Sequence, residues 1–301
     1  MNTSIASLKT AWAPAKVNLY LHVGKPLEDG RHPLDSLVQF TDSKAADRIS
    51  ARSARDLSLS LEGPGAKALK GEKNNLVLHA AHLLRKAAGR TDLGAVLHLH
   101  KELPIAAGVG GGSADAAATL VVLNKYWDIG FSESALESIA AQLGADVPAC
   151  LTGQPSLMRG TGETLSPVDL IDLPIVLINP GIKLSTEAVF KRFDKLEFGG
   201  SFELVDPPAP QSADPVSFAK ALSQYSNDLE GPAMSLCGAI GDVLGALEAH
   251  GAHLSRMSGS GATCFGIFST QDEASAAAYS LSKKHRKWWV RSTCLLGSGR
   301  S

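Results

Sequence analysis

The feature that most constrains this chain is Leu103-Pro104-Ile105-Ala106-Ala107-Gly108-Val109-Gly110-Gly111-Gly112-Ser113-Ala114-Asp115, in which four glycines fall within five residues. An apolar run from Ala95 to Leu99 precedes it, and an alanine-rich run from Ala114 to Trp127 follows. The pattern reads as strand, loop, helix. A backbone without Cβ atoms bends sharply and approaches a ligand closely. A helix starting at about Ala114 presents unpaired N–H groups at an end that carries roughly half a positive charge. That combination binds anions, phosphate foremost. Ser113 stands at the expected N-cap, where its hydroxyl caps the helix or reaches a phosphate or a metal. A flexible surface loop is the alternative, but such loops are seldom bounded by a clean strand and a clean helix. Two familiar phosphate loops do not fit. No lysine follows the glycines as the P-loop requires, and Ser113 replaces the third glycine of the dinucleotide fingerprint.

At 301 residues the chain is long for one core, which predicts two domains, here divided as 1–165 and 166–301. A net charge of −1 provides no general field for a nucleic acid or a membrane surface, so an anion must be held by local design. Cys150, Cys237, Cys264 and Cys294 form no Cys-x-x-Cys pair. This argues against a zinc site or a disulfide framework and for a reducing compartment. The N-terminus lacks the pattern of a signal peptide, and no apolar run is long enough to span a bilayer. The expectation is a cytoplasmic protein with neither nucleic acid nor membrane as partner.

From Lys16 the chain alternates: Val17, Leu19, Leu21 and Val23 face one way, and Lys16, Asn18, Tyr20 and His22 the other. That is the period of a half-buried strand, with Lys16 and Asn18 one pleat apart. Asn is disfavoured in strands, which favours a purpose over a solvated face. A turn at Asp29-Gly30 leads past Arg31 and His32 to a second strand over Leu34 to Phe40. Leu57 to Leu61 forms another, and a helix capped by Asn74 or Asn75 runs from Leu76 to Lys86. The pairs His79/His82 and His98/His100 lack a third ligand at metal spacing and read as structural. Ser132 caps a helix to about Leu143, and Gly144 stops it. Asp146 then sits between that stop and Pro148, where a carboxylate that merely caps a backbone N–H is the structural alternative. Further on, Ser156 to Pro167 reads as a hairpin and Leu173 to Asn179 as a strand. Ser185-Thr186 caps a short helix that contains Phe190. Residues 198–215 read as a long loop. Helical patterns cover Phe218 to Tyr225 and Met234 to His250. Leu254 to Phe268 reads as strand, second glycine loop, strand: either an ordinary hairpin or a loop closing over a ligand. A helix from about Asp272 and a strand at Trp288-Trp289-Val290 complete an α+β half.

Three segments occur together in order: Pro14-Ala15-Lys16-Val17-Asn18, the glycine loop of residues 104–115, and Gly259-Ser260-Gly261-Ala262. This set resembles the small-molecule kinases that include galactokinase, homoserine kinase and mevalonate kinase, the GHMP type. Lys16-Val17-Asn18-Leu19, Asp29-Gly30-Arg31-His32, Leu143-Gly144-Ala145-Asp146-Val147-Pro148 and Ser226-Asn227-Asp228-Leu229-Glu230 make it most similar to the branch acting on 4-diphosphocytidyl-2-C-methyl-D-erythritol. The similarity extends over nearly the whole chain. It implies a two-domain α+β fold with the active site in the cleft between the halves. It also implies ATP-dependent phosphorylation of the substrate's 2-hydroxyl, with Mg²⁺, in non-mevalonate isoprenoid synthesis.

Residue by residue, the resemblance implies Asp146 as base with Lys16 beside it. It implies a nucleotide held by Pro104, Ala106, Ala107, Gly108, Val109, Gly110, Gly111, Gly112, Ser113 and Ala114, with Asn75 and Lys101 nearby. Asn18, Arg31, His32, Asp146, Thr186 and Phe190 fall at substrate positions. At Arg31 the chain departs from the pattern, which usually has tyrosine; a guanidinium plane also stacks on a ring. No carboxylate ligand for Mg²⁺ can be named, and Asp115 would repel phosphate unless it points aside or holds metal. Sister kinases for homoserine, mevalonate or a sugar are the nearest alternative. A non-catalytic nucleotide-binding protein on the same fold is the alternative of another class, but it predicts loss of the base, and Asp146 and Lys16 are both present. The oligomeric state is left open.

Overall fold

A computed structural model describes residues 9–72, 74–197, 202–208 and 214–299. The chain begins with β1 (Lys9–Pro14), β2 (Lys16–Val23), β3 (Leu34–Phe40), β4 (Ala46–Ser53) and β5 (Leu57–Glu62). The single turn α1 (Ala66–Leu69) and α2 (Leu76–Ala87) lead to β6 (Ala95–His100), then α3 (Gly111–Tyr126), α4 (Glu133–Ala140) and α5 (Val147–Thr152). Next come β7 (Ser156–Arg159), β8 (Thr164–Pro167), β9 (Leu173–Asn179), α6 (Thr186–Lys195), α7 (Pro215–Leu222), α8 (Glu230–Leu236) and α9 (Ala239–Ala249). The strands β10 (Leu254–Met257) and β11 (Cys264–Ile267), helix α10 (Gln271–Lys284) and strand β12 (Trp289–Leu295) close the chain.

These elements form two compact units that interleave along the chain. The first comprises the chain through Pro14, Ala46–Ile105 and Gly111–Thr152; the second comprises Ala15–Ala45, Ala106–Gly110 and the chain from Gly153 onward. Neither is a single continuous stretch, so the units do not follow one cut near residue 165.

The first unit holds a sheet of order β1-β4-β6-β5, antiparallel except for the parallel β5–β6 pair. In β6 the residues Ala95, Leu97 and Leu99 are buried while Val96, His98 and His100 are half-exposed, the alternation of a strand covered on one face. Helix α3 is buried nearly all round from Ala114 to Leu120. Its small alanines let neighbouring elements approach closely, which is why it shows no polar stripe.

The second unit holds two antiparallel sheets, β2-β3-β7-β8 and β10-β11-β9-β12. Its core gathers Val176, Ile178, Val189, Phe193, Val243, Leu247, Cys264 and Leu281 around the second sheet. Burying each such side chain contributes about 1.5–3 kcal/mol.

Several sequence expectations are corrected. Strand β2 does not alternate strictly. Its pairing with β3 shifts between Asn18 and Tyr20, so Leu19 is an extra residue in a bulge. Its polar face is not solvated either: Lys16, Asn18 and Tyr20 are all buried. Helix α3 begins at Gly111 rather than Ala114, so Gly111 and Gly112 belong to its opening turn. Ser113 therefore lies inside the first turn and is not the N-cap. The segment around Pro148 is not a loop but α5, with proline in the first turn, where its missing N–H has no intrahelical partner to lose. The pattern from Met234 to His250 is two helices, parted at Cys237-Gly238. Strands β1 and β4 had no reading. Of the expected loop over 198–215, residues 202–208 are irregular and Pro215 opens α7 behind an Asp214 cap, while 198–201 and 209–213 lie outside the described residues. Ser132, Ser185 and Asn75 do cap α4, α6 and α2. No helix among the described residues is long and apolar enough to cross a membrane.

Candidate active site

The glycine loop is shaped in the second unit by backbone bonds. The Ala107 carbonyl accepts from the Thr263 N–H at 3.1 Å. The Gly108 carbonyl accepts from the Ser258 hydroxyl at 2.9 Å, and that of Val109 from the Lys16 N–H at 2.9 Å. In a planar trans peptide the carbonyl and the next N–H point opposite ways. Turning these successive carbonyls inward therefore turns the N–H groups of Gly108, Val109 and Gly110 outward. Ala106, Gly108 and Gly110 have φ of 52°, 74° and 64°, left-handed at every second position. That alternation makes a row of amides concave, the geometry that receives an anion. A Cβ on Gly108 would come within 2.3 Å of the Ser258 carbonyl oxygen, so only glycine fits there.

The second glycine loop underlies the first. Asn227 holds it: its amide nitrogen donates to the carbonyls of Met257 and Gly259, both at 2.8 Å. Glu230 accepts from the Met257 N–H at 2.7 Å, and Asp228 from the Val23 N–H at 2.9 Å. The Ser226-to-Glu230 motif is thus a brace for the β10–β11 loop and the end of β2. Asn18 joins the same network, donating from its backbone to the Ser258 hydroxyl at 3.1 Å and from its side chain to Ser36 at 2.8 Å. Lys16 is buried, with its ammonium 3.8 Å from the Met158 sulfur.

In the first unit, the stems of the glycine loop meet a buried charge cluster. The Lys101 ammonium donates to Asp47 at 2.5 Å and to Asp115 at 2.6 Å. The other Asp47 oxygen accepts from the N–H groups of Glu102 and Leu103, at 2.6 and 2.8 Å. Two carboxylates against one ammonium leave an excess buried negative charge. Burial accordingly pushes the Asp115 carboxyl up to about 7 against the pull of Lys101. Burial also disfavours the Lys101 charge, but its two carboxylates outweigh that and hold it above its usual value. One Asp115 oxygen is thus taken up by Lys101, beneath Gly111. Asp47 was not foreseen; no local pattern around it differs from an ordinary polar strand residue. Pro104 leads from this cluster into the loop, while Gly111, Gly112 and Ser113 form the accessible start of α3 and Ala114 is its first buried residue. Asn75 caps α2, accepting from the Val77 N–H at 3.0 Å. Asp146 immediately precedes α5 in this unit and is half-buried; its carbonyl accepts the helix bond from Cys150 at 3.1 Å.

Among the substrate positions, the second unit brings His32 and Phe190 together, with ring centroids 4.8 Å apart. Asp194, which the sequence reading missed, bonds the His32 ring at 2.8 Å and fixes its orientation. It lies one turn along α6 from Phe190, a spacing that places both on one helix face. Thr186 shares a 2.8 Å hydrogen bond with Ser260 of the second glycine loop. Arg31 is exposed, its guanidinium held by Asp29 and by Thr161. Three of the histidines set aside above have ordinary side-chain partners: Arg52 for His98, Glu102 for His100 and Arg85 for His82.

The GHMP kinases N terminal domain matches residues 75–154, and the GHMP kinases C terminal domain matches residues 209–287. A 4-diphosphocytidyl-2-C-methyl-D-erythritol kinase of Hyphomonas neptunium is 47% identical over 302 residues, covering 98% of this chain and 99% of that protein. One of the same name from a Chelativorans species is 44% identical over 283 residues, covering 93% and 94%. The crystal structure of a 4-(cytidine 5'-diphospho)-2C-methyl-D-erythritol kinase matches with a TM-score of 0.77 at 34% identity, covering 96% of this chain and 100% of that one. The chain belongs to the GHMP kinase family, whose α+β architecture it shares. Within that family it falls in the branch of the 4-diphosphocytidyl-2-C-methyl-D-erythritol kinases.

Proposed function

We propose that this chain transfers the γ-phosphoryl group of ATP to the 2-hydroxyl of 4-diphosphocytidyl-2-C-methyl-D-erythritol, releasing ADP. The observation that carries the kinase reading is the outward row of amides at Gly108, Val109 and Gly110, which runs directly into the start of α3. Near-full-length similarity to kinases of that name, at 47% and 44% identity, supports the acceptor.

Phosphoryl transfer asks a protein for positioning and charge neutralisation more than for covalent chemistry. In this reading the amides of Gly108 to Ser113 receive the triphosphate, with Pro104, Ala106, Ala107 and Ala114 shaping the loop and Asn75 beside the nucleotide. The residues of that site fall within 1–165 of the sequence, and Ser258 and Thr263 support the loop from beyond it. Asp146 accepts the acceptor's hydroxyl proton as its oxygen attacks. The new O–P bond forms as the bond from the γ-phosphorus to the bridging oxygen breaks, and ADP takes the electron pair. Lys16 stabilises the charge that develops on the attacking oxygen. His32 and Phe190 address the cytosine, by hydrogen bond and by stacking. Asn18, Thr186 and Arg31 line the rest of the acceptor.

Mg²⁺ fits as the ion carried by ATP, held mainly by phosphate oxygens and water. Among the described residues no group of three or more His, Cys, Asp or Glu forms a metal site, and Asp115 is bonded to Lys101. When bound, the ion neutralises phosphate charge.

The test is a coupled ADP-release assay with Mg-ATP and four acceptors side by side: the diphosphocytidyl compound, homoserine, mevalonate and galactose. Turnover with the first alone is expected. No turnover with it, or faster turnover with another, overturns the assignment.

A further inference from the structure

Lys101 stands near the nucleotide by resemblance, yet its surroundings give it a different task. The residue is 2% exposed and its charge is held between Asp47 and Asp115. It is walled closely: a Cβ on Gly65 would lie 2.5 Å from its Cγ, and one on Gly111 would lie 3.2 Å from its Nζ. The cluster touches both stems of the glycine loop. On the incoming side, Asp47 binds the N–H groups of Glu102 and Leu103, just before the loop. On the outgoing side, the ammonium packs under Gly111 and bonds Asp115, within the opening turns of α3. A second, independent observation is that the remaining Asp115 oxygen is fully buried without a hydrogen-bond partner among the described residues. Leaving a buried carboxylate oxygen unsatisfied is costly, so a side chain used only to fill space would be apolar here.

We infer that Asp47, Lys101 and Asp115 are positioning residues for the nucleotide: one buried charge chain that ties the two stems of the phosphate loop together and so fixes the spacing of its amides. This rests on the kinase reading above and deepens it. The reason a charge chain is used rather than packed hydrocarbon is directional. An ammonium between two carboxylates fixes the separation of β4, the end of β6 and α3 to within a hydrogen-bond length, whereas apolar contacts tolerate sliding. An amide row a fraction of an ångström out of place loses much of its hold on a phosphate.

The test uses the full chain and measures binding of a non-hydrolysable Mg-ATP analogue by calorimetry, with steady-state KM values alongside. Asp115→Ala, which releases α3 from Lys101, is expected to weaken analogue binding and raise the KM for ATP about tenfold or more, while the KM for the acceptor stays within about twofold. Asp115→Asn, which keeps a hydrogen-bonding oxygen at the same place, restores most of the lost affinity. If Asp115→Ala does not fold, Asp115→Ser carries the same comparison, because its hydroxyl is too short to reach Nζ. A folded Ala or Ser variant that binds the analogue as the wild type does overturns the inference. So does an equal loss of affinity for both substrates, or an Asn variant as weak as the Ala variant. Calorimetry needs no acceptor, so a wrong acceptor leaves this test standing. A wild-type chain that binds no nucleotide overturns the kinase reading and this inference with it.

Discussion

Asp146 and Asp115 are both aspartates near a helix start, but one is half-buried and the other buried against Lys101. Asp146 is half-buried ahead of α5, and the kinase reading makes it the base. Replacing it by Asn keeps the shape and removes the basicity, so Asp146→Asn is expected to lower kcat about a hundredfold or more. Binding of the ATP analogue should stay near wild type, read by calorimetry; full turnover in that variant refutes the base assignment. Asp115 is buried, and burial raises its carboxyl to about 7. Between the ordinary carboxylate range and about pH 7 the folded chain holds a proton that the unfolded chain has released. Stability from this group is therefore greatest in acid and falls as pH rises through that window. In Asp115→Asn that slope disappears, so urea midpoints should favour the variant more at pH 8 than at pH 5. Turn and breaker residues mark the glycines, Asp146 and His32 in the sequence, but the roles proposed for Asp146 and His32 rest on the family resemblance. Asp47 and Asp194 were not legible, since each matters only through a partner distant in the chain or on a face formed after folding.

Element boundaries follow the same division between local and distant causes. The caps at Ser132, Ser185 and Asn75 are short-range chemistry and could be read directly. The bulge at Leu19 could not, because its compensation lies more than two hundred residues away. Leu19's carbonyl accepts from the Arg256 guanidinium at 2.6 Å, and Arg256 also donates to the carbonyls of Leu222 and Tyr225. Burial lowers Arg256 to about 10, still charged at neutral pH. One buried cation thus satisfies the bulge of β2 and the end of α7 from a position on β10. Arg256→Met leaves those carbonyls unsatisfied and is expected to cost about 3–5 kcal/mol of unfolding free energy, measured by urea denaturation. A change below about 1 kcal/mol would show that water replaces the guanidinium. Asn227→Ala removes both bonds to the second glycine loop and should lower stability by about 2 kcal/mol. Because that loop supports Gly108, the KM for ATP should rise in the same variant.

For the whole chain, the α+β class and much of the order of elements were legible because hydrophobic period and turn residues repeat along the sequence; β1, β4 and α5 were not. The interleaving of the two units was not. Between Pro14 of β1 and Lys16 of β2 the chain passes from one sheet to another with a single residue between them. No proline-rich or charged linker marks that crossing, so a division by linkers puts the boundary elsewhere. The glycine loop crosses again, with Ala106–Gly110 in the second unit and Gly111 onward in the first. The residues that shape the loop therefore come from segments as far apart as Asp47 and Thr263. A phosphorus NMR spectrum of the wild-type reaction with Mg-ATP and 4-diphosphocytidyl-2-C-methyl-D-erythritol tests the central claim most directly. The account predicts one new phosphomonoester, on the 2-oxygen, growing in step with ADP. ADP accompanied only by inorganic phosphate, or a phosphoryl group on any other oxygen, would contradict it.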